Sequence, residues 1–266
     1  MLSVHFEWLL NTNHGADYFR RWHSRRECSG SLRVHTSPHH YDISNWRLEE
    51  KPVRVNAFGT LRFYGPNREE RGERCLTCPY KKKCRFYMDI EADDELRQFY
   101  YENEAEDGYI RDRCVFSDEI SIEDSVAVNV EYSGGAIMNY SLTAHSPYEG
   151  CRLVINGTDG RLEATERKDQ IVDYKEVSAQ EVLIFNRRGE KIRMEIPLGN
   201  DGEGHGGADE MIRDSLFRGL SNDTLGQNAS AEAGIMSIAI GMAANISMKE
   251  KRQVAIGEFL KELKEY

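Results

Sequence analysis

The sequence predicts an α+β fold in which helices cover one face of a large, open and mainly antiparallel β-sheet. Three observations lead to this prediction. A strand-like run opens the chain at residues 2–10, β-type runs crowd its middle, and helical patterns follow near its end. Strands and helices segregated along the chain in this way are typical of α+β domains. The 266 residues, 39% of them hydrophobic, are enough for one substantial core.

The predicted sheet rests on alternating apolar residues separated by turn signals. Ser133-Gly134-Gly135 and Gly157-Thr158-Asp159-Gly160 suit tight hairpins between neighbouring strands. Besides the first strand and a second one at residues 53–63, the strand-like runs are residues 125–132, 136–144, 151–156, 161–165, 181–186 and 191–196.

Apolar residues at helical spacing predict the helices. Tyr41 and Trp46 mark one side of a helix over residues 37–48, where Ser37 or Thr36 is the N-cap and Pro38 lies in the first turn. The other predicted helices are residues 18–26, 93–103, 209–220, 230–246 and 256–264. Because helices both precede and follow the crowded strands, we expect them to cover one face of the sheet.

Composition argues against two classes of partner. The formal net charge of −10 disfavours nucleic acid, whose phosphates need clustered lysine and arginine. No run approaches the roughly 20 apolar residues of a membrane helix, and no signal-peptide pattern is present, so neither a membrane partner nor secretion is expected. Six cysteines without a secretory signal favour a reducing compartment, and hence a cytoplasmic location.

Four cysteines form the strongest purely chemical pattern. Cys75, Cys78, Cys84 and Cys114 show a C-x2-C-x5-C spacing with a distant fourth thiol, within a cysteine-bearing insertion at about residues 68–115. Four thiolates satisfy tetrahedral zinc, and a lysine-rich loop with little apolar material gains order from such a metal. A structural zinc ion is therefore the favoured interpretation. An iron–sulfur cluster and ordinary reduced thiols are the alternatives.

A dinucleotide-binding fold has no counterpart in the sequence pattern. Such a fold needs a glycine-rich turn between a strand and a helix within a βαβ unit. The glycine-rich string at residues 202–207 (GEGHGG) lies late in the chain and has no βαβ unit around it. The sequence therefore predicts no nucleotide-binding domain within these residues.

Several motifs in combination resemble one known family. The motifs are residues 13–23 (NHGADYFRRWH), 35–42 (HTSPHHYD), 123–125 (EDS), 132–136 (YSGGA) and 156–162 (NGTDGRL). Together they resemble the Gfo/Idh/MocA oxidoreductases, the family of glucose-fructose oxidoreductase and inositol dehydrogenase. The resemblance covers residues 1–266, but only the carboxy-terminal half of that family, whose amino-terminal Rossmann domain has no counterpart here.

The resemblance implies one domain, residues 1–266, that binds substrate and mediates oligomerisation. In the family, the helix-covered face of the sheet meets the nucleotide domain and the other face often packs against a second subunit. The implied partners are therefore a second copy of the chain through its open sheet face, a separate Rossmann-domain chain and a sugar-like small molecule. NAD(P) is expected only together with that separate domain.

The resemblance also assigns site residues. His39 matches the catalytic histidine that exchanges a proton with the sugar hydroxyl while NAD(P) takes the hydride, and histidine titrates in the range that such a transfer needs. His35, Arg21, His23 and His205 are the implied substrate-binding residues. From the residue pattern alone, packing or a metal pair explains His35 and His39 as well as substrate binding does. Surface salt bridges explain Arg20, Arg21 and His23 equally well, and an exposed turn explains His205.

Two positions depart from the family pattern. His35 stands where many relatives carry an acidic residue, and Thr36 stands where a sugar-acting branch often has a lysine. Lys51, in Glu50-Lys51-Pro52, repeats the letters of a lysine motif that belongs to the family's other domain, so we assign it no catalytic role.

The sequence therefore predicts the substrate-binding and oligomerisation domain of an NAD(P)-dependent sugar or cyclitol oxidoreductase, inactive without a Rossmann domain. Two alternatives stay open at this point. One is a non-catalytic sugar-binding or scaffold protein, favoured by Thr36, and the other is a remnant of an NAD-dependent glycosidase.

Overall fold

The computed structural model describes residues 1–172, 175–196, 207–219 and 223–262. Its strands are β1 (Ser3–Asn11), β2 (Pro52–Thr60), β3 (Ser125–Tyr132), β4 (Ile137–Ser146), β5 (Glu149–Asn156), β6 (Gly160–Val172), β7 (Lys175–Asn186), β8 (Lys191–Glu195) and β9 (Val254–Ala255). They form one sheet in the order β8-β7-β6-β5-β1-β4-β3-β2-β9. Every described pair is antiparallel except β1 with β4, which run parallel near the middle. The predicted open, mainly antiparallel sheet is confirmed.

The helices lie before β2, between β2 and β3, and after β8. They are α1 (Thr12–Arg20), α2 (Arg26–Ser29), α3 (Leu32–His35), α4 (Pro38–Leu48), α5 (Asp94–Phe99), α6 (Glu104–Asp107), α7 (Ala208–Arg213), α8 (Ala231–Glu250) and α9 (Ile256–Glu262). A π-helical turn, Asp214–Arg218, continues α7. The short helices α2, α3 and α6 were not predicted. The predicted helices each have a counterpart among the described residues, with one exception at the start of the chain.

That exception is the helix predicted at residues 18–26, which is wrong. The helix begins at Thr12 instead, because the side chain of Asn11 accepts hydrogen bonds from the backbone N–H groups of Asn13 and His14, each at 2.9 Å. Gly15 does not break α1. It allows the helix to lie against β4, since a Cβ at this position would come within 1.8 Å of the carbonyl oxygen of Ala144.

Side chains alternate across the sheet, and only one of its faces is buried in the core. On β3, Val126, Val128 and Val130 are buried, whereas the intervening Ala127 and Asn129 are exposed. Since successive residues of a strand point to opposite faces, this pattern means that helices cover one side only. The covered face carries the hydrophobic core, and the open face displays polar side chains such as Asn129 together with exposed apolar ones such as Phe58 and Ile137.

Helix α8 is the central element of the covered face. Among the helices in the described ranges, it alone is long and apolar enough to cross a membrane. The core helix of a soluble protein meets the same criteria of length and composition. It packs on β2 and α4 and buries Ala239, Ile240, Ala243 and Ala244. Its small residues allow close packing: a Cβ at Gly241 would lie 2.2 Å from the carbonyl oxygen of Arg33 in α3.

A buried ion pair links α3 to the segment before β3. Arg33 is fully buried, and its Nη2 lies 2.6 Å from a carboxylate oxygen of Glu123 and 2.6 Å from Oδ1 of Asn245 on α8. Burial opposes the ionisation of Glu123, but Arg33 and Arg26 outweigh it and hold its pKa below the ordinary value. Helix α3 is therefore fixed by both packing and charge.

Replacing Gly241 by alanine is expected to lower the free energy of unfolding by about 1–3 kcal/mol, because the new methyl group would overlap the backbone of α3. The matched control is Gly234→Ala in the same helix. Nothing lies within 4 Å of a Cβ at that position, so better helix propensity should raise stability by up to about 1 kcal/mol. Urea unfolding followed by circular dichroism measures both. Equal effects would contradict the close packing of α8 on α3.

Candidate functional site

Four aromatic and histidine rings converge near the start of the chain. This ring cluster consists of Tyr18 on α1, Trp22 and His23 in the 3₁₀ turn after α1, and His35 at the end of α3. The ring centroid of His23 lies 3.9 Å from that of Trp22, 4.4 Å from that of His35 and 5.4 Å from that of Tyr18. The structure therefore brings together two of the predicted substrate-binding residues, His23 and His35.

The two histidines of the ring cluster differ in exposure. His23 is buried, whereas His35 is exposed. Burial, assisted by the nearby His35 and Arg21, lowers the pKa of His23 to about 4. His23 is therefore neutral at pH 7, and a neutral imidazole can both donate and accept a hydrogen bond. Its Nδ1 is buried and has no hydrogen-bond partner among the described residues.

An ionic group borders the ring cluster. Asp17 on α1 lies between two guanidinium groups: Nη1 of Arg21 is 3.4 Å from one carboxylate oxygen, and Arg111 contacts the other. Arg21 also donates a hydrogen bond to the hydroxyl of Tyr109 at 3.1 Å. Within the described chain, Nη1 of Arg111 is buried without a hydrogen-bond partner. The site thus combines a carboxylate, two guanidinium groups, imidazoles and aromatic faces.

His39 and His40 stand side by side on α4 in opposite environments. His39 is exposed, and it makes no hydrogen bond, ion pair or ring contact with any described residue. His40 is buried, with its ring 4.6 Å from Phe6 and 4.4 Å from Trp8 and one nitrogen 3.0 Å from the hydroxyl of Tyr140. Burial, with a smaller contribution from His39, lowers the pKa of His40 to about 3. Of the two, His39 is the residue that could contact a substrate.

The start of α4 explains why His40 is buried and His39 is exposed. Ser37 precedes the helix and Pro38 occupies its first turn, as predicted, but the Ser37 hydroxyl does not cap the helix. It lies 2.9 Å from the hydroxyl of Tyr140 instead. This contact, together with the bond between His40 and Tyr140, fixes α4 against the sheet and leaves His39 on the outer side.

The four predicted metal ligands line one small cavity. Cys75 and Cys114 are buried, Cys78 and Cys84 are partly buried, and all four are free thiols. However, no three histidine, cysteine or carboxylate side chains in the described ranges are grouped so as to hold one metal ion. The predicted zinc tetrahedron is therefore not formed by the side chains as they stand, because a zinc ion needs its sulfurs within about 2.3 Å of one point.

One predicted site residue cannot be placed. His205 lies in the stretch 197–206, outside the residues that the structure describes. Its predicted role in substrate binding stays a prediction.

Sequence reasoning missed part of the site. Asp17 was not predicted, although it lies four residues before the predicted Arg21, and this spacing on or next to α1 indicates an ion pair. Tyr18 lies within the family motif at residues 13–23, but the sequence pattern indicated no role for it. Arg111 and Tyr109 reach the site from the long segment between β2 and β3. No local sequence pattern predicts the contact of Arg111 with Asp17, because the two residues are 94 positions apart.

Comparison with protein-family models identifies the family of this chain. Residues 1–256 match the model of the Gfo/Idh/MocA oxidoreductases, which is described as "Oxidoreductase family, C-terminal alpha/beta domain". The chain belongs to this family. The Gfo/Idh/MocA resemblance inferred from the sequence motifs is confirmed, and the family is typically NAD(P)-dependent.

A curated relative and several solved structures support the family assignment. The Bacillus subtilis (strain 168) protein named "Putative oxidoreductase YteT" is 37% identical over 272 residues, which cover 96% of this chain and 63% of that protein. The solved relatives include levoglucosan dehydrogenase (12% identity, TM-score 0.56, 96% of this chain and 58% of that one). They also include the myo-inositol dehydrogenase from Corynebacterium glutamicum ATCC 13032 (16% identity, TM-score 0.50, 96% of this chain and 56% of that one). A third is the aldose-aldose oxidoreductase from Caulobacter crescentus (12% identity, TM-score 0.52, 96% of this chain and 55% of that one).

These figures limit what each comparison shows. The likeness to the solved structures concerns the fold, because their sequence identities are low. This Gfo/Idh/MocA chain spans less than two thirds of the length of YteT and of each solved relative given above.

The buried His40 should make the protein less stable in acid. The unfolded chain takes up a proton near the ordinary pKa of 6.5, whereas folded His40 does so only near 3, so the free energy of unfolding falls as the pH drops through this window. One such group contributes up to about 1.4 kcal/mol per pH unit. We expect His40→Phe, which keeps the ring contacts, to show a shallower loss of stability between pH 6.5 and 4.5 in urea titrations. His5→Phe, on an exposed histidine, should retain the steeper wild-type loss; identical slopes for the two variants would refute the prediction.

Proposed function

We propose that this chain forms the substrate-binding part of an NAD(P)-dependent oxidoreductase that acts on a hydroxyl group of a sugar or cyclitol. The observation that carries the proposal is the ring cluster with its ionic border, set close in sequence to the exposed His39 on a Gfo/Idh/MocA domain. The ring cluster and its ionic border combine imidazole, carboxylate, guanidinium and aromatic faces, and they contain three of the residues that the family resemblance implies, Arg21, His23 and His35.

The ring cluster has the chemistry that a polyhydroxylated ring requires. Each hydroxyl of a polyol is both a donor and an acceptor, and Asp17 can accept hydrogen bonds while Arg21 and Arg111 donate them. His23, held neutral by its low pKa, can do either. Aromatic faces such as that of Trp22 offer flat apolar surface to the C–H groups of a sugar ring. Polar groups placed among aromatic rings are typical of small-molecule sites.

His39 is the proposed proton acceptor. An imidazole can take up the hydroxyl proton near neutral pH when it lies within hydrogen-bond reach of the substrate. His39 is exposed and is engaged by no described side chain, so it can reach a substrate bound beside α4. When bound, NAD(P) supplies the hydride acceptor. His35, four residues earlier in sequence and at the end of α3, would hold the sugar in place.

The names of the solved relatives support this substrate class. Levoglucosan, myo-inositol and aldoses are all polyhydroxylated compounds, and the dehydrogenases and oxidoreductase named after them share the fold of this chain. We extend the class, not any one of these compounds, to the present protein.

Two partners belong to the same proposal. The first is a nucleotide-binding Rossmann domain, either in a longer protein or as a separate chain, facing the helix-covered side. The second is another copy of this chain, packed against the open sheet face where His5, Glu7, Asn129 and Asn139 are displayed. A cytoplasmic location fits the free thiols of all six cysteines and stays part of the proposal.

The test has two parts. The chain itself is titrated with myo-inositol, glucose and levoglucosan and followed by saturation-transfer NMR. A chimera joining the part of YteT outside the match to this chain is assayed for reduction of NAD⁺ and NADP⁺ with the same compounds. Polyol binding together with NAD(P)⁺ reduction supports the proposal. Binding to the chain without reduction by a folded chimera would overturn it in favour of a sugar-binding scaffold.

Substitution of His35 should weaken polyol binding to the chain. Loss of one hydrogen bond from an exposed imidazole costs about 1–1.5 kcal/mol, so His35→Ala is expected to raise the dissociation constant about tenfold. The matched control is His5→Ala on the opposite, open face of the sheet. If both variants bind equally well, the ring cluster is not the polyol site.

Substitution of His39 should affect chemistry rather than binding. In the chimera, His39→Asn is expected to lower kcat by about 100- to 10,000-fold, the usual contribution of a positioned general base, with little change in KM. Stability should be unaffected because the side chain is exposed. A variant that keeps the wild-type kcat would remove His39 from the mechanism.

A further inference from the structure

We infer that the four-cysteine cavity is a metal–thiolate centre whose negative charge is balanced by Arg20 and Arg68. The centre would hold either one zinc ion or an iron–sulfur cluster, two groups that share the same ligand chemistry. The inference rests on the backbone that presents the cysteines and on the two arginines that face them, and it is independent of the substrate and the reaction proposed above.

The backbone brings distant cysteines to one place. A short antiparallel bridge joins Arg74 to Arg113, and beside it the N–H of Cys75 donates to the carbonyl oxygen of Asp112 at 2.8 Å while the N–H of Cys114 donates to that of Glu73 at 3.0 Å. Cys75 and Cys114 therefore lie next to each other although 39 residues separate them in the chain.

Each cysteine also begins a tight turn. The carbonyl oxygens of Cys75, Cys84 and Cys114 accept hydrogen bonds from the N–H groups three residues later, at 3.2, 3.0 and 3.2 Å, and that of Cys78 accepts one from Lys81 at 3.3 Å. These turns need no apolar packing to define them. They bring all four side chains to the lining of one cavity, together with Phe86 and Phe116.

Arg20 supplies the decisive evidence, because it is a buried cation without a carboxylate partner. Only 4% of the residue is exposed, and it forms no ion pair with a described acidic residue. Its Nη1 lies 3.1 Å from the sulfur of Cys75 and 3.0 Å from the carbonyl oxygen of Arg113, and its Nη2 contacts the carbonyl oxygen of Phe86. A guanidinium group does not lose its proton, so a nearby negative charge favours its burial, and beyond two carbonyl oxygens the group that Arg20 contacts is the sulfur of Cys75.

Arg68 repeats this arrangement at a second sulfur. Its Nη2 lies 3.1 Å from the sulfur of Cys84, its guanidinium carbon is 3.6 Å from the ring centroid of Phe116, and within the described ranges it pairs with no carboxylate. A neutral thiol is a weak hydrogen-bond acceptor, whereas a thiolate is the form that binds metals. Both arginines therefore place a positive charge against a sulfur, where it would stabilise a metal-bound thiolate.

Charge balance extends the inference from thiolates to a metal. Four thiolates alone would repel one another in a confined space. Four thiolates with one divalent zinc, or with an oxidised four-iron cluster, leave about two negative charges. Arg20 and Arg68 supply two positive charges, one at Cys75 and one at Cys84. The surroundings thus match a centre of this charge.

The two forms of the centre make different demands on the positions of the sulfurs. They surround a cavity without converging on a single point. A four-iron cluster binds each cysteine through a different iron and needs no common point, whereas zinc requires the side chains to rotate inwards. Either form uses all four cysteines and leaves no open coordination position, so the role of the centre is structural.

The centre would also support the candidate functional site. Arg20 is the last residue of α1, and Arg21 follows it directly in the ionic group. Arg111, which contacts Asp17, lies three residues before Cys114. A metal that fixes Cys75 and Cys114 therefore fixes the wall that carries Arg111.

The test begins with the full chain, expressed with both metals supplied and purified without oxygen. Elemental analysis and labile-sulfide assay should find about one zinc, or about four irons with matching sulfide and visible absorption, per chain. Either result supports the centre and identifies its form. A folded chain that carries neither metal in stoichiometric amount, or one with a disulfide among these four cysteines, overturns the inference.

Variants separate a metal centre from ordinary packing. Cys78→Ser and Cys84→Ser should lose the metal, whereas the matched controls Cys28→Ser and Cys151→Ser should retain it, since neither residue lines the cavity. Arg68→Gln should weaken metal retention against a chelator by about 10- to 100-fold, the usual effect of a group that supports metal ligands. If the cysteine variants fail to fold, the metal content of the wild type and the chelator competition of Arg68→Gln still test the metal centre. If Arg68→Gln retains the metal as well as the wild type does, Arg68 does not have its assigned role.

Discussion

The contact between α8 and α3 governs the layout of the covered face. Gly241 lets the backbone of α8 approach the carbonyl of Arg33, while the Arg33 side chain, fully buried, is held by Glu123 and Asn245. A buried charge of this kind stays only where its partners are fixed. Because α3 ends at His35 and α4 begins three residues later, this one contact determines where the rings of His23 and His35 meet and on which side His39 is displayed.

The fold was predictable because its signals are local. Alternation on β3, glycine-rich hairpins and the proline at the start of α4 each depend on neighbouring residues, and the structure has all three where expected. The start of α1 was not predicted, since a glycine within the segment suggested a break. What keeps the helix intact is a contact between Gly15 and β4, more than 120 residues away, which no local pattern encodes.

The candidate site was predictable in part, for the same reason. Motif residues Arg21, His23 and His35 do come together, but the groups that complete the site, Arg111 and Tyr109, arrive from the segment between β2 and β3. The cysteine spacing predicted a common location for the four thiols but not its geometry, because the sulfur positions depend on how that segment folds. The arginines at Cys75 and Cys84 could not be assigned from sequence, since arginine on a polar surface is commonplace.

The position of β1 has a consequence for how the protein reaches this structure. Ser3 pairs with Ile137 on one side and with Asn156 on the other, so β1 lies between two strands that are made much later. Pairings between residues so far apart in sequence slow folding, because a long loop must close before they form. During translation β1 must therefore wait, with its apolar side chains uncovered, until residues 137–156 have emerged. That interval is when a chaperone would bind it, and truncation before residue 137 should leave β1 without either of its partner strands.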